Sequence, residues 1–160
     1  MIDPMRNVDT IDLKLLIALQ KDASLSQRDL AERVGLSQNA CWRRLNRLQQ
    51  MGILCGTRAL VDLSALGLDL TVFVMLSTRQ HSRDWVDRFA RHVEALPEVI
   101  DFHRIGGEWD YMLKVVTQGM AGYDRFYQRL IDGFEFDKVT GLFSMERILE
   151  GRPPVLNRLL

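Results

Sequence analysis

The residues with the clearest capacity for chemistry lie between Gln38 and Met51, where three arginines and several amides occur without an acid. Arginine can grip O6 and N7 of guanine with two hydrogen bonds, an amide can read adenine, and any arginine can hold a phosphate. A helix that exposes only such groups suits the major groove of DNA. The alternative is a solvated helix face, which is what most runs of charge are.

Two short helices joined by a tight turn would position these side chains. Ser26 can cap the first helix, with Asp29 as the reciprocal acid of a capping box, and Gly35 follows where that helix most easily stops. Ser37 can cap the second helix, which we predict to run to about Met51. This order of cap, turn and second cap is typical of a helix-turn-helix.

The second helix separates an apolar stripe from a polar face, since successive residues turn by about 100°. Cys41, Leu45 and Leu48 form the stripe that we expect to face the core. Because the first residues of a recognition helix lie deepest in the groove, we predict that they read bases and that later arginines hold phosphates. The predicted base-reading residues are Gln38, Asn39 and Arg43, and the predicted phosphate contacts are Arg44, Arg47 and, in the following connector, Arg58.

The composition of the chain bounds its class and compartment. The 160 residues are 47% hydrophobic and 26% charged, with a formal net charge of zero, which argues weakly against a non-specific polyanion binder. Residues 1–62 carry nine Lys or Arg against seven Asp or Glu, and residues 63–160 carry twelve against fourteen, so the excess positive charge lies with the predicted recognition helix. No apolar run approaches the roughly 18 to 20 residues that span a bilayer. The N-terminus lacks the apolar core of a secretory signal, so we expect a cytoplasmic protein without membrane contact.

Cysteine and histidine residues give no sign of a metal site. We interpret Cys41 and Cys55 as reduced thiols, because no Cys/His pair has the spacing of metal ligands, and we predict no metal and no cofactor. The three histidines stand apart from one another. His103 could serve as a general base in a small enzyme, but we favour a surface or interface histidine and predict no catalytic residue.

The rest of the chain indicates a second domain, in which strand-like segments alternate with helical ones. Asp9 or Thr10 can cap a first helix that runs to about Lys21, and this helix would complete the helix-turn-helix. We place the DNA-binding domain at residues 1–55, a connecting strand or linker at 56–67, a second domain at 68–150 and a tail at 151–160. Within the second domain we predict strands at 68–78, 99–105, 109–117 and 139–148, and helices at 82–96 and 123–131. The order β-α-β-β-α-β is the ferredoxin-like plan, so the fold class is α+β.

Several stretches together resemble one family of regulators. They are VDTIDLKLLIALQKDA, LAERVGLS and CWRRLNRLQQMGIL in the first half, and IGGEWDYMLKV in the second. From Asn7 to about Glu150 the chain resembles the Lrp/AsnC family, the leucine-responsive and asparagine-regulator (feast/famine) transcription factors. The segments RDWVDRFARHVEALPEV and YDRFYQRLI look closest to a subgroup tied to cysteine metabolism.

The resemblance implies a DNA-binding head and a ligand-sensing body called the RAM domain, which forms dimers that often assemble into octamers. It also implies a small amino acid bound between subunits near residues 106–111. Glycines let backbone N–H groups approach a carboxylate closely, and a carboxylate can hold an α-ammonium. The predicted effector-binding residues are Gly106, Gly107, Glu108, Trp109, Asp110 and Ser144. The alternative is a plain β-hairpin turn, in which Gly-Gly is common.

One departure from the family pattern bears on the effector. The family places two threonines in the last strand, where this chain has Leu142 and Ser144, so one hydroxyl is lost. Our first interpretation is a homo-oligomeric transcriptional regulator that binds double-stranded DNA and responds to a small amino acid, with cysteine first. The second is a DNA-architectural protein without an effector, and the third is a small enzyme on the ferredoxin-like half.

Overall fold

A computed structural model describes residues 8–156 of the chain. These residues form two compact units. The head unit contains the described residues up to Leu60 together with those from Leu149 onward, and the sheet unit contains Val61–Ile148. The predicted tail at 151–160 is described only to residue 156, and the first seven residues also lie outside the described part.

The head unit is built on three helices, which are α1 (Thr10–Lys21), α2 (Gln27–Arg33) and α3 (Gln38–Gln50). Each begins at a predicted cap, and of the two candidates at α1, Asp9 and Thr10, it is Asp9 that caps the helix. Asp9, Ser26 and Ser37 accept hydrogen bonds from backbone N–H groups three residues later. The Asp29 carboxylate accepts from the Ser26 hydroxyl at 2.6 Å and not from a backbone N–H, so the predicted reciprocal capping box at α2 is wrong. A complete capping box occurs instead at α1.

Packing in the head unit follows the predicted apolar stripes. Gly35, with a φ of 71°, ends α2 in the left-handed conformation that favours glycine. Leu15, Leu30 and Cys41 are buried, with Leu45 partly buried against them. The core is therefore small and largely aliphatic, as expected where three short helices meet.

The sheet unit contains strands β1 (Leu70–Ser77), β2 (Val99–Arg104), β3 (Tyr111–Thr117) and β4 (Lys138–Phe143), and helices α4 (Arg83–Glu94) and α5 (Gly119–Ile131). The strand order is β2-β3-β1-β4, and every neighbouring pair is antiparallel. This confirms the ferredoxin-like α+β plan. A 3₁₀ turn at Ser64–Leu66, which the sequence does not predict, precedes β1.

The core of the sheet unit is aromatic. Val72, Val74 and Leu76 point from β1 to one side, where Phe89 and Phe126 of the two helices cover them. Phe89 contacts a ring of other aromatic side chains, which are Trp85, Phe102, Tyr111, Phe134 and Phe136, with centroid separations between 5.0 and 5.6 Å. The opposite side of the sheet carries no helix of this unit, and its side chains stay partly exposed.

Candidate DNA-binding helix and ligand-binding loop

The predicted recognition helix presents a polar outward face. The Ser37 hydroxyl accepts from the Ala40 N–H at 3.3 Å, and Gln27 of α2 donates to the Gln38 carbonyl at 3.2 Å, which ties the start of α3 to the preceding helix. Gln38, Asn39 and Arg43 are all exposed. The structure thus places the three predicted base-reading residues on solvent-facing positions of one helix.

The other two arginines of α3 have partners inside the protein. Arg44 Nη1 lies 2.6 Å from Asp9 Oδ2 and 2.8 Å from Asp12 Oδ1, and Arg47 Nη2 pairs with Asp12 Oδ2. The Arg44 side chain is 27% exposed and that of Arg47 is 44% exposed. The two predicted phosphate contacts are therefore already engaged by carboxylates of α1, whereas Arg43 points outward.

Asp12 is the residue that sequence reasoning missed. It is fully buried, and its two oxygens accept from Arg44, Arg47 and the Asp9 N–H. A buried carboxylate is stable only when paired and hydrogen-bonded. A signal was present in the sequence, because Asp12 precedes Leu15 and Leu19 at helical spacing, and an acid on an inward stripe requires a basic partner.

The ion pairs among Asp9, Asp12 and Arg44 shift the pKa values of Asp9 and Arg44. Partial burial alone would raise the pKa of Asp9, but hydrogen bonds from the Asp12 N–H and the Arg44 guanidinium bring it below its ordinary value of 3.8. Hydrogen bonds to Asp9 and Asp12 raise the pKa of Arg44. Both shifts favour the charged forms, so the ion pairs persist at neutral pH.

Arg58 lies on an exposed, irregular connector that follows α3. It also lines a cavity of about 870 Å³ within the head unit. Aliphatic side chains of α1 and the connector, including Leu16, Leu19 and Ile53, form much of its wall, together with Pro153 of the tail. Neither the predicted base-reading residues of α3 nor the hairpin loop of the sheet unit borders this cavity.

The predicted effector loop joins β2 to β3 as a hairpin. The Ile105 N–H donates to the Asp110 carbonyl at 2.9 Å, which closes the loop over Gly106–Trp109. The Asp110 N–H donates to the Leu76 carbonyl at 2.9 Å, and Asp110 Oδ2 accepts from the Thr78 N–H at 2.8 Å. One carboxylate oxygen of Asp110 thus fixes the end of β1, which leaves Oδ1 for another partner.

Lys138 is an additional charged group beside this loop. Its Nζ lies 4.5 Å from the centroid of the Trp109 ring and 3.3 Å from Glu108 Oε1. A cation over an indole face is attracted by the ring quadrupole. The structure therefore brings together Glu108, Trp109, Asp110 and an ammonium group that the sequence analysis did not include.

Ser144 lies elsewhere in the same chain. Its N–H donates to the Thr71 carbonyl, whereas the Asp110 N–H donates to Leu76, five residues further along β1. At about 3.3 Å per residue this is a separation of roughly 17 Å. Within one subunit Ser144 and the glycine loop do not form a common site.

His92 has a structural role, and His103 lies at the surface. His92 Nε2 lies 2.9 Å from the Arg129 carbonyl and 3.2 Å from that of Leu130, two of the last carbonyls of α5. His103 is exposed on β2. Between residues 8 and 156, no group of three or more His, Cys, Asp or Glu side chains is arranged to hold a metal ion. Over the same span no helix combines the length and apolar character needed to cross a membrane.

Comparison with known proteins covers both units. Residues 71–154 match the family model described as Lrp/AsnC ligand binding domain, and residues 8–54 match the model described as winged helix-turn-helix DNA-binding. The DNA-binding transcriptional activator DecR of Escherichia coli (strain K12) is 46% identical over 142 residues, which cover 88% of this chain and 93% of that protein.

Two solved structures superpose closely. The crystal structure of an AsnC family transcriptional regulator from Agrobacterium tumefaciens has a TM-score of 0.89 and 39% identity, covering 96% of this chain and 100% of the other. A transcriptional regulator from Neisseria meningitidis, solved in complex with L-Met, also has a TM-score of 0.89, with 31% identity and the same coverage.

Proposed function

Because the chain belongs to the Lrp/AsnC family of DNA-binding transcriptional regulators, we propose that it reads an operator with α3 and responds to a small amino acid held by its β2–β3 loop. Its relatives are transcriptional regulators and not enzymes. Residues 1–55 serve as the DNA-binding domain, residues 56–67 as the connector, and residues 68–150 as the effector-binding and oligomerisation domain. The observation that carries the proposal is the outward face of α3, which is polar and cationic on a helix anchored at both ends.

In this proposal Gln38, Asn39 and Arg43 read bases, because they lie in the first two turns of a capped helix and are exposed. Arg44, Arg47 and Arg58 contact phosphates. For Arg44 and Arg47 this role requires that a phosphate approach a guanidinium which also holds a carboxylate of α1. Partial exposure of both side chains in the free protein supports this.

Equilibrium binding of an operator and of random DNA tests these assignments. Arg43→Ala should cost about 1 to 3 kcal/mol on the operator and little on random DNA, since a base contact is lost. Arg58→Ala should weaken both and flatten the plot of log K against log salt by about 0.9. Arg91→Ala on α4, which removes an exposed arginine from the sheet unit, is the control. Parental binding by both the Arg43 and Arg58 variants contradicts the assignment.

The effector in this proposal is a small or sulfur-containing amino acid, cysteine first. Backbone N–H groups near Gly106 and Gly107 suit its carboxylate, and Asp110 Oδ1 suits its ammonium group. The family match of this domain and the L-Met bound to the Neisseria meningitidis regulator support the class of ligand. Ser144 contributes from a second subunit, since its own subunit holds it roughly 17 Å away along β1.

A thermal-shift screen of the common amino acids tests the effector class, because a ligand that binds only the folded state raises the melting temperature. Asp110→Asn should then abolish the shift while it keeps an acceptor for the Thr78 N–H. Asp101→Asn, on the exposed side of β2, is the matched control. Unchanged amino-acid binding by Asp110→Asn, measured by calorimetry, places the site elsewhere. Failure of every amino acid to bind the parent protein favours the effector-independent architectural function.

The assembly in this proposal is a homodimer that can form octamers. The face of the sheet without helices carries apolar side chains at paired positions, with Phe73 opposite Leu142 and Met75 opposite Met112. Leu142 is more than half exposed in the single chain, and exposed apolar patches of this kind mark interaction surfaces. Light scattering should give at least twice the chain mass of 18.5 kDa. A value equal to the chain mass removes this part of the proposal.

A further inference from the structure

The ion pairs between α1 and α3 differ in how open they are to solvent. Asp12 is fully buried, whereas the Asp9 side chain is 51% exposed. Both carboxylates accept from the same nitrogen of Arg44, Nη1. One guanidinium is thus held by an inner carboxylate that solvent cannot reach and by an outer carboxylate that it can.

The outer carboxylate occupies the position that an anionic ligand of Arg44 would take. A phosphate oxygen and a carboxylate oxygen offer the guanidinium the same kind of charge-assisted hydrogen bond. Because Asp12 retains its hold on Arg44 and Arg47, departure of Asp9 would leave both arginines oriented. Two carboxylates and two guanidinium groups cancel in charge in the free protein, so loss of the Asp9 charge would leave the cluster with a net positive charge.

We propose that Asp9 is a positioning residue that occupies Arg44 in the free protein and yields it to a DNA phosphate, while Asp12 keeps Arg44 and Arg47 in place. This inference rests on the proposed function, since it assigns Arg44 to a phosphate. Asp9 restrains DNA affinity, because each binding event replaces an internal ion pair. Because binding to any DNA sequence must break the ion pair between Asp9 and Arg44, Asp9 lowers the affinity for operator and random DNA alike.

Asp9→Asn isolates the charge from the structural role of this residue. Asparagine is as good a helix N-cap as aspartate, and its side-chain oxygen can still accept from the Asp12 N–H, as Asp9 Oδ1 does at 2.9 Å. The variant should therefore fold, which circular dichroism and thermal melting check. Asp22→Asn removes the same charge from the other end of α1, where Asp22 accepts from Ser24 and not from Arg44, and it serves as the matched control.

The experiment measures how tightly each protein binds a duplex of random sequence at salt concentrations between about 50 and 200 mM. The proteins compared are the parent, Asp9→Asn, Asp22→Asn, Arg44→Gln and the Asp9→Asn/Arg44→Gln double variant. Asp9→Asn should bind about threefold more tightly than the parent at the low end of this range, as expected when an exposed ion pair no longer competes. The plot of log K against log salt should be steeper by about 0.9 in Asp9→Asn, because in the parent the freed Asp9 carboxylate takes up a cation and offsets one of the cations released from DNA. Asp22→Asn should match the parent, and Asp9→Asn should have no effect in the Arg44→Gln background.

Three outcomes would overturn the inference: parental affinity of Asp9→Asn, an equal gain in Asp22→Asn, or a gain that persists without Arg44. A merely structural role for Asp9 would lower the melting temperature without changing the salt slope. Failure of the proposed function is distinguishable, because the parent itself would then not bind DNA. That result would remove both proposals at once.

Discussion

In the head unit the fully buried Asp12 joins α1 to two arginines of α3, whereas in the sheet unit the ring of Phe89 packs among other aromatic rings. The short helices of the head unit bury few large side chains, and a charged cluster links α1 to α3. The sheet unit buries large rings, which contribute free energy but impose less directional constraint. A buried ion pair is weak evidence for stability, because the cost of removing both charges from water offsets their attraction. The head unit thus combines a small apolar core with directional ion pairs, whereas the sheet unit depends on the burial of large aromatic rings.

The largest expected effect is on the aromatic core. Phe89→Ala should lower the free energy of unfolding of the sheet unit by about 3 to 5 kcal/mol, because a fully buried ring leaves a cavity among its neighbours. Urea denaturation in a Trp42→Phe background measures this, since the remaining tryptophans, Trp85 and Trp109, both belong to the sheet unit. Met120→Ala, at an exposed position of α5, should change the value by less than about 0.5 kcal/mol. A loss below about 1 kcal/mol for Phe89→Ala would show that the rings are not the source of stability.

Removal of the buried charge is the corresponding change in the head unit. Asp12→Ala should cost about 2 to 3 kcal/mol, because Arg44 and Arg47 lose their common acceptor and α1 loses half of its capping box. The loss stays below that of a fully buried pair, since both arginines can turn to water. Urea denaturation followed by circular dichroism gives the value, with the exposed Lys14→Ala as control. If Asp12→Ala is as stable as the parent, the cluster does not hold the helices together.

A smaller loss of stability is expected where the backbone of β4 approaches the Tyr123 side chain of α5 closely. A Cβ at Gly141 would lie 2.6 Å from the Tyr123 hydroxyl and 3.3 Å from its Cζ. Gly141→Ala should therefore cost about 1 to 3 kcal/mol through overpacking between β4 and α5. Tyr123→Phe should relieve part of that cost in the double variant, because it removes the nearer atom. Additive losses in the double-mutant cycle would mean that the two positions are independent.

The smallest effect is the pH dependence contributed by Asp9. Its folded-state pKa is lowered, so its contribution to stability is fully present above its ordinary value of 3.8 and is lost as the pH falls through the folded value. Melting temperatures of the parent and Asp9→Asn should differ at neutral pH and converge in acid. A difference that stays constant across this range would assign the effect of the substitution to something other than the Asp9 charge.

Two element boundaries show where local patterns stop being sufficient. Helix α5 begins at Gly119, four residues before the predicted start at Tyr123. The prediction missed the first turn because it contains glycines, which have a low helix propensity. A Cβ at Gly122 would lie 3.1 Å from the Thr117 Cβ, so a larger residue there would require the Thr117 side chain to shift. Strand β4 ends at Phe143, five residues before the predicted end, because its partner β1 begins at Leu70 and offers little further pairing.

What the sequence by itself determined is local: the caps at Ser26 and Ser37, the apolar stripes, and the order of helices and strands that predicts the ferredoxin-like plan. Each of these depends on residues a few positions apart, whose chemistry acts over one or two turns of chain. Which arginines of α3 are engaged depends on carboxylates 32 and 35 residues away, and only the packing of α1 against α3 brings them together. The separation of Ser144 from the glycine loop likewise depends on strand register. Tertiary structure decided both, because ion pairing and the assembly of a site depend on distance in space and not on distance along the chain.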